Sequence, residues 1–247
     1  MKKVTISIVS HNHGPLVKTL LDQLGLFHKN IAKTIVTFNV PEKVRVKQED
    51  YPFEICLLYN DTPKGFSANH NQAFNYCDTE YFCVMNPDIS VSEDPFPTLL
   101  PYLSERNIAI IAPMIVNMNG VIEHSARYFP TPWGLVKKVF GYYDGVYSRR
   151  ENQHLEFPDW IAGMFMLIDS KSYAALSGFD EAYFLYYEDV DLCTRAWKEG
   201  MVVALCQEVS VVHDARRSSH KDLKYFKWHI ASIARFFLKH AMRFPKR

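Results

Sequence analysis

Several common functional motifs are missing from this chain of 247 residues. No GxGxxG follows the first apolar segment and no GxxxxGK[ST] occurs, which disfavours a dinucleotide-binding fold and excludes a P-loop. GxSxG and paired CxxC motifs are absent as well. The apolar run after the basic start MKK is too short for a signal peptide. No window of about eighteen apolar residues exists, so we expect no membrane-spanning helix.

Cysteine is scarce, and its pattern is uninformative for metal or disulfide chemistry. The five cysteines are scattered among apolar residues, and an odd set of this kind is typical of reduced thiols in a cytosolic protein. Hydrophobic residues make up 48% of the chain. A core of that size needs no disulfide or metal for stability, and the length suits one large domain, alone or with an appendage.

Charge is unevenly distributed, although the formal net charge is only +1. The segment from Arg216 to the end contains ten Lys or Arg and one acid, a formal charge of +9, whereas the preceding residues carry −8. An acidic body with a basic tail indicates the kind of partner and not the fold.

The first half alternates between continuously apolar segments and segments with helical spacing. We predict strands at 4–10, 34–38, 53–59 and 81–85, with a helix after Pro15 and another from Phe66. Continuously apolar strands are typical of a parallel sheet covered by helices on both faces. The second half adds predicted strands at 107–116, 159–168, 202–206 and 209–213, and a helix at 188–199 that ends at Gly200.

Two further segments have a composition that suggests a function or a partner. The long segment 131–158 is rich in Pro, Gly and aromatic residues, so it is a candidate lid or acceptor platform, or simply packing. Segment 223–242 has helical spacing of apolar residues at 223, 226, 230, 233, 237 and 241, with basic residues on its other faces. This basic amphipathic helix is predicted to bind an anionic membrane surface, to dock on the domain, or both.

Carboxylates follow the predicted strand at 81–85. Asn86 and Asp88 would lie at its carboxyl end, where ligands bind in α/β sheets, and their oxygens suit Mg²⁺ or Mn²⁺ on a diphosphate. An Asn-Pro-Asp turn without a ligand is the simpler interpretation of these three residues alone.

The stretch YYEDVDLC places three acids at a predicted helix start. Glu188 and Asp189 would lie in the first turn, where the helix dipole favours ionised carboxylates, and Asp191 can pair with Arg195 on the surface. Asp189 has no obvious partner and is suited to act as a general base. His213, at a predicted strand end before two arginines, is either a structural residue or part of an anion or metal site.

In combination, these motifs resemble family-2 inverting glycosyltransferases of the GT-A fold, in particular the bacterial rhamnosyltransferase-like branch that builds surface polysaccharides. The resemblance rests on SHN (10–12), NDTPKGFSANHNQAF (60–74), NPD (86–88), DWIAGMFMLI (159–168) and GFDEAYFLYYEDVDLCTRAWKEG (178–200). It covers nearly all of residues 4–213. It implies a mixed, mainly parallel Rossmann-like sheet flanked by helices.

The resemblance also implies roles for individual residues. Asp189 matches the base, and Glu188 its neighbour that could share this role. Asn86, Asp88 and His213 match the site for a divalent metal and the diphosphate. The residues expected to bind the nucleotide-sugar are Ser10, Asn12, Asn60, Gly65, Phe66, Asn71, Asn86, Asp88, Trp160 and Gly163. The implied domain is 1–215, with a nucleotide-sugar half at about 1–113 and an acceptor half at 114–215, followed by the basic helix at 216–247.

The resulting hypothesis is a cytoplasmic enzyme, peripheral on the inner face of the cell membrane. It would transfer a sugar, L-rhamnose from dTDP-rhamnose being the leading candidate, to a lipid-linked or glycan acceptor. A non-catalytic carbohydrate- or nucleotide-binding protein of the same fold and a nucleotidyltransferase are the alternatives. A glycoside hydrolase is disfavoured because it needs two carboxyl groups facing each other across the bond. Nucleic acid is not an expected partner, because no reading motif accompanies the basic tail.

Overall fold

The structure is a computed structural model, and it describes residues 3–105, 107–142, 145–150, 153–214, 223–241 and 244–245. Seven charged residues of the basic tail lie outside these residues: Arg216, Arg217, Lys221, Asp222, Arg243, Lys246 and Arg247. The strands are β1 (Val4–Ser10), β2 (Ile31–Phe38), β3 (Glu54–Tyr59), β4 (Tyr81–Met85), β5 (Ile89–Ser90), β6 (Ile108–Val116), β7 (Ala126–Arg127), β8 (Leu155–Glu156), β9 (Trp160–Ile161), β10 (Phe165–Asp169) and β11 (Val202–His213). The helices are α1 (Gly14–Leu26), α2 (Phe66–Phe74), α3 (Phe96–Glu105), α4 (Pro132–Val139), α5 (Ser170–Ala175), α6 (Glu188–Lys198) and α7 (Leu223–His240).

The main sheet has nine strands and is mixed but mainly parallel. Its order is β3-β2-β1-β4-β10-β6-β11-β5, and β8 pairs with β11. Strands β1 to β4 are mutually parallel where they pair, as are β6 and β11, whereas β10 runs antiparallel to both of its neighbours. The predicted α/β architecture is confirmed. Strands β7 and β9 form a separate small sheet.

Helices cover both faces of the sheet because its central strands are apolar on both sides. In β4, Cys83 and Met85 pack into one core with α1 and α3, while Phe82 and Val84 pack into a second core with α5 and α6. Alternate residues of a strand point to opposite faces, so a continuously apolar strand must be covered twice. Cys83, Cys193 and Cys206 are buried in these cores, and Cys56 and Cys77 are half-buried.

Two predicted strands have different bounds in the structure. Segment 159–168 divides into β9 and β10, because β9 pairs with β7 in the small sheet whereas β10 belongs to the main sheet. Ala162 N donates to Ser125 O at 2.8 Å next to the first pairing, and Asn86 N donates to Met164 O at 2.9 Å next to the second. Conversely, 202–206 and 209–213 form one strand, β11, whose register shifts between Cys206 and Ser210.

Helix α7 docks on the domain through a face that the apolar spacing did not identify. Ser232, Phe236 and His240, four residues apart, are buried, while Phe226 and Ile230 of the predicted stripe are exposed. The buried face contains polar residues because the surface beneath it offers them partners. No described helix is long and apolar enough to cross a bilayer.

Candidate active site

Two adjacent backbone positions connect the NPD segment with the acidic helix. Gly163 N donates a hydrogen bond to Asp189 Oδ2 at 3.0 Å, and Met164 O accepts one from Asn86 N at 2.9 Å. The segment that interrupts the predicted strand 159–168 therefore contacts both motifs. The carboxyl end of β4 and the amino end of α6, distant in sequence, form one site.

On the β4 side of this site, Asp88 pairs with His213. The distance between Asp88 Oδ2 and His213 Nε2 is 3.3 Å, and the other ring nitrogen of His213 lies 2.7 Å from Glu123 Oε2. Burial lowers the pKa of His213, but hydrogen bonds and charges from Asp88 and Glu123 outweigh it and raise the pKa to about 9. Without a metal ion, His213 is therefore held between two carboxylates, and a metal ion that binds Nε2 would displace the proton from that nitrogen.

The side chains of Asn86, Asp88 and His213 are of the types that bind a divalent cation. Asp88 Oδ1 is buried and has no hydrogen-bond partner, which is a cost unless a ligand completes its shell. Carboxylate and amide oxygens with an imidazole suit Mn²⁺ or Mg²⁺, and Glu123 orients the imidazole from behind. Among the described residues, no three His, Cys, Asp or Glu side chains form a complete metal site. Asn86, Asp88 and His213 would thus hold the ion together with the diphosphate of a bound donor.

Asp189 and Glu188 differ in environment although they are adjacent. Burial raises the pKa of Glu188 well above its usual value, and the charge of Asp189 raises it further; Glu188 Oε2 has no hydrogen-bond partner. Burial also raises the pKa of Asp189, but hydrogen bonds from the backbone N–H groups of Gly163 and Val190 oppose this effect. Burial therefore raises the pKa of both acids, and the two backbone N–H groups favour the ionised form of Asp189 over that of Glu188.

The turn before these acids is strained. Tyr186 and Tyr187 have φ values of 71° and 69°, a left-handed conformation that costs a non-glycine residue about 1–3 kcal/mol. Tyr187 is buried, and its ring lies 5.4 Å from that of Phe236 in α7. Such strain is concentrated at functional sites, and here it sets the direction in which α6 begins.

A cavity of about 290 Å³ opens beside the two acids. Its lining includes Trp160, Glu188, Asp189 and Arg127, together with Leu135 of helix α4. Trp160 Nε1 donates to Tyr128 O at 3.0 Å, which fixes the indole at the cavity wall. The cavity can hold a sugar-sized acceptor group next to Asp189. It also shows that α4, within the predicted platform 131–158, borders the site.

The loop after β1 is organised around an acid that the sequence did not reveal. Ser10 Oγ donates to Glu42 Oε2 at 2.9 Å, and the backbone N–H groups of Asn12 and Gly14 donate to the same carboxylate at 2.8 Å each. Asn12 has a φ of 63°. In this structure Ser10 and Asn12 shape the loop, and their contact with a nucleotide stays a prediction.

Asn60 belongs to a cluster of buried asparagines at the sheet edge. Its Nδ2 donates to Asn39 Oδ1 at 2.9 Å and to Asn69 Oδ1 at 2.6 Å, and Asn60 Oδ1 is buried without a partner. Asn39 also accepts from Lys64 N at 2.8 Å, so the cluster holds the loop that precedes α2.

Gly65 and Phe66 bring the amino end of α2 against the segment before the acids. Phe66 N donates to Phe184 O at 2.9 Å, and a Cβ at Gly65 would lie only 2.5 Å from that oxygen. Only glycine permits this approach. A Cβ at Gly163 would be 3.3 Å from the Phe66 ring and 3.6 Å from Asp189 Cβ. Phe66, Gly163 and Asp189 are therefore neighbours, as predicted for one site.

Asn71, another residue predicted to bind the nucleotide-sugar, is engaged with the GFDE segment. Its side chain bonds to Tyr173, to both backbone groups of Phe179 and to Glu181. These bonds fix the GFDE segment, and a direct contact with nucleotide stays a prediction. Glu42, Glu123 and Arg127 are site residues that the sequence analysis missed, since each is an isolated charge without a motif.

Solved structures with a similar fold identify the fold class. The chain superposes on the mannosyltransferase PcManGT from Pyrobaculum calidifontis, solved with GDP-Man and Mn²⁺, with a TM-score of 0.66 at 14% identity, covering 99% of this chain and 66% of that one. It superposes on GalNAc-T7, solved with UDP, GalNAc and Mn²⁺, with a TM-score of 0.62 at 14% identity, covering 87% of this chain and 44% of that one. The fold is GT-A.

Sequence relatives place the chain more narrowly. Glycosyl transferase family 2 matches residues 7–170, and the chain belongs to this family. It is 27% identical over 250 residues to the rhamnosyltransferase WbbL of Escherichia coli, covering 96% of this chain and 93% of the relative. It is 28% identical over 152 residues to the N-acetylglucosaminyl-diphospho-decaprenol L-rhamnosyltransferase of Mycobacterium tuberculosis, covering 58% and 50%. The protein is a glycosyltransferase.

Proposed function

We propose that this glycosyltransferase inverts the anomeric configuration of a sugar that it moves from a nucleotide diphosphate to an acceptor hydroxyl, with Asp189 as the base. The observation that carries the proposal is the link through residues 163 and 164. It joins the segment of Asn86 and Asp88, the proposed diphosphate site, to Asp189 at a cavity of about 290 Å³. A base on one side and a leaving-group site on the other are the requirements of a single displacement.

The chemistry assigned to the chain is one proton transfer during one substitution. The acceptor oxygen forms a bond to the anomeric carbon, its proton passes to Asp189, and the bond from that carbon to the diphosphate oxygen breaks with its electron pair. Asn86, Asp88 and His213 bind and orient the diphosphate; a divalent cation held there would neutralise its negative charge. The raised pKa of Asp189 makes it a stronger base than an exposed aspartate.

The donor and acceptor are proposed from the relatives and from α4. Two relatives carry rhamnosyltransferase in their names, and one name specifies a diphospho-decaprenol acceptor, so we propose L-rhamnose, from a dTDP donor, and a lipid-linked acceptor. Helix α4 presents Trp133, 66% exposed, and Phe140 follows it, 70% exposed. Leu135 of the same helix lines the cavity, and exposed apolar side chains this large on α4 and just after it suit an acceptor with a hydrocarbon chain.

Binding of nucleotides tests this function first. We expect dTDP to raise the melting temperature by about 5 °C at saturation, since a ligand at one hundred times its Kd stabilises by about 2.7 kcal/mol. UDP, GDP and CMP are the comparisons, each with and without Mn²⁺ or Mg²⁺. A shift that metal enlarges supports the transferase, and the nucleotide that gives it names the donor class. No shift with any of them supports a non-catalytic carbohydrate-binding protein.

Asp88→Asn provides the variant for the same experiment. It should abolish the metal-dependent part of the shift, because it weakens the carboxylate that faces the cation. Asp78→Asn is the matched control. Asp78 is an exposed aspartate that pairs with Lys33 at 3.3 Å. A metal-dependent shift that survives in Asp88→Asn would contradict the assignment of the cation site.

We further propose that the outward face of α7 contacts an anionic membrane, with the enzyme peripheral on its cytoplasmic side. Phe226 and Ile230 are exposed on a helix that also carries exposed Lys227 and Arg235, a composition typical of interfacial helices. The double change Phe226→Ser and Ile230→Ser should weaken co-sedimentation with anionic vesicles about tenfold.

The membrane assay has a control variant outside α7. Leu26→Ser removes an exposed leucine from α1 and should leave vesicle binding unchanged. Binding should also weaken with added salt, because the lysines and arginines contribute through screened charges. Equal binding by wild type and the double variant would show that α7 only docks on the domain.

A further inference from the structure

Helix α7 contacts the strained turn that precedes the proposed base. Ser232 Oγ donates a hydrogen bond to Leu185 O at 3.0 Å. The rings of His229 and Phe236 pack against Tyr187, with centroids 5.7 and 5.4 Å away. Three consecutive turns of α7 therefore hold the backbone and side chains of the turn from which α6 begins.

The same helix contacts α6 on the other side of the base. His240, 4% exposed, places Nε2 at 2.9 Å from Asp191 Oδ1, and Asp191 is itself fully buried. Lys198 Nζ lies 2.8 Å from His240 Nδ1. Because an ammonium group can only donate, Nδ1 accepts and the imidazole proton is on Nε2, from which it donates to Asp191.

We infer that α7 positions Asp189 and that His240 is the positioning residue within it, through the contact between His240 and Asp191. This inference rests on the proposed role of Asp189 as the base. The base lies between residue 187 and residue 191, and α7 contacts both, so a shift of α7 must alter the direction in which the carboxylate points. In the part of the chain that the structure describes, Asp88 and His213 pair with each other and with Glu123, outside α7.

Two substitutions of His240 separate positioning from packing. His240→Gln keeps one donor and one acceptor, whereas His240→Leu removes both and retains an apolar body. We expect His240→Leu to lower kcat about 10- to 100-fold, the effect of a base displaced by a fraction of an ångström to an ångström. The KM for the nucleotide-sugar should stay within about twofold. His240→Gln should recover most of kcat.

Loss of stability alone is controlled by Leu103→Ala. Leu103 belongs to the core on the other face of the sheet, so its truncation lowers the melting temperature without touching α7 or the site. All rates are compared at a temperature where every variant is folded. If His240→Leu retained the wild-type kcat there, or if Leu103→Ala lost as much kcat, the inference would be overturned.

Hydrogen–deuterium exchange tests the same link without catalysis. Peptides covering residues 185–192 should exchange faster in His240→Leu than in wild type or Leu103→Ala, and at the wild-type rate in His240→Gln. Unchanged exchange in His240→Leu would overturn the inference. Absence of transfer by wild type with any donor would instead count against the proposed function, so the two failures are distinguishable.

Discussion

Asp189→Asn is expected to lower kcat by about 10²- to 10⁴-fold, the range that a general base contributes. The amide has nearly the same shape and its oxygen can accept the hydrogen bond from Gly163 N, now 3.0 Å long. It cannot take a proton from the acceptor hydroxyl. The nucleotide-dependent rise in melting temperature should therefore persist while transfer is lost. Quantifying the released nucleotide under saturating donor and acceptor measures this rate.

Glu199→Gln is the matched control for this change. Glu199 is an exposed acid just beyond the carboxyl end of the same helix α6, so its neutralisation alters the same charge without approaching the cavity. Its kcat should be that of wild type. A wild-type rate in Asp189→Asn would refute the base assignment, and attention would turn to Glu188 as the residue that accepts the proton.

The pH dependence of kcat follows from the same carboxylate. Because burial raises the pKa of Asp189 above that of an ordinary aspartate, the ionised base is lost at a higher pH than it would be on the surface. The acidic limb of the kcat–pH profile should therefore fall with decreasing pH through this raised pKa. In Asp189→Asn the residual rate should lack that limb.

Much of the fold was predictable because local patterns determine it. Continuously apolar strands such as residues 81–85 must be covered on both faces, and the polar residues that end them must lie at the sheet edge. Asn86 and Asp88 were therefore placed correctly at the end of β4. The position of Asp189 in the first turn of α6 followed from the acids at a helix start.

The parts of the site that escaped prediction are long-range pairs. Glu123 bonds to His213 across 90 residues, and Glu42 bonds to Ser10 across 32. Neither acid stands in a motif, and its partner follows from how the strands and loops meet in three dimensions. The break of segment 159–168 at Gly163 is of the same kind. The residues of this segment are apolar and predict one strand, but tertiary hydrogen bonds override that preference.

For Asp191 the predicted partner is correct, but the predicted surface location is wrong. The predicted pair with Arg195 exists, with 2.8 Å between Arg195 Nε and Asp191 Oδ2, but Asp191 is fully buried instead of lying on the surface. Its other oxygen faces His240 and Lys239 of α7 at 2.9 and 2.8 Å. Four-residue spacing reports that two side chains are neighbours on a helix and does not report what covers them.

Asp191→Ala should consequently lower the free energy of unfolding by about 3–5 kcal/mol, the cost of removing one partner from a buried ion pair. In this variant the partly buried Arg195 would lose its counter-ion. Its hydrogen bonds to Leu176 O and Gly178 O would remain. Chemical denaturation measures the change. The matched control is Asp22→Ala, in the exposed four-residue pair with Lys18, which should cost less than about 1 kcal/mol.

Acid unfolding should report the same carboxylate in wild type. Burial raises the pKa of Asp191, but the hydrogen bond from His240 and the charges of Arg195 and Lys239 outweigh it and lower the pKa to about 2. A depressed pKa stabilises the folded state fully above the unfolded value of about 3.9, and this contribution disappears as the pH falls towards 2. It amounts to roughly 2 kcal/mol. In Asp191→Asn the free energy of unfolding should depend less steeply on pH between about 4 and 2. An identical pH dependence in both proteins would show that Asp191 is not held as an ionised carboxylate.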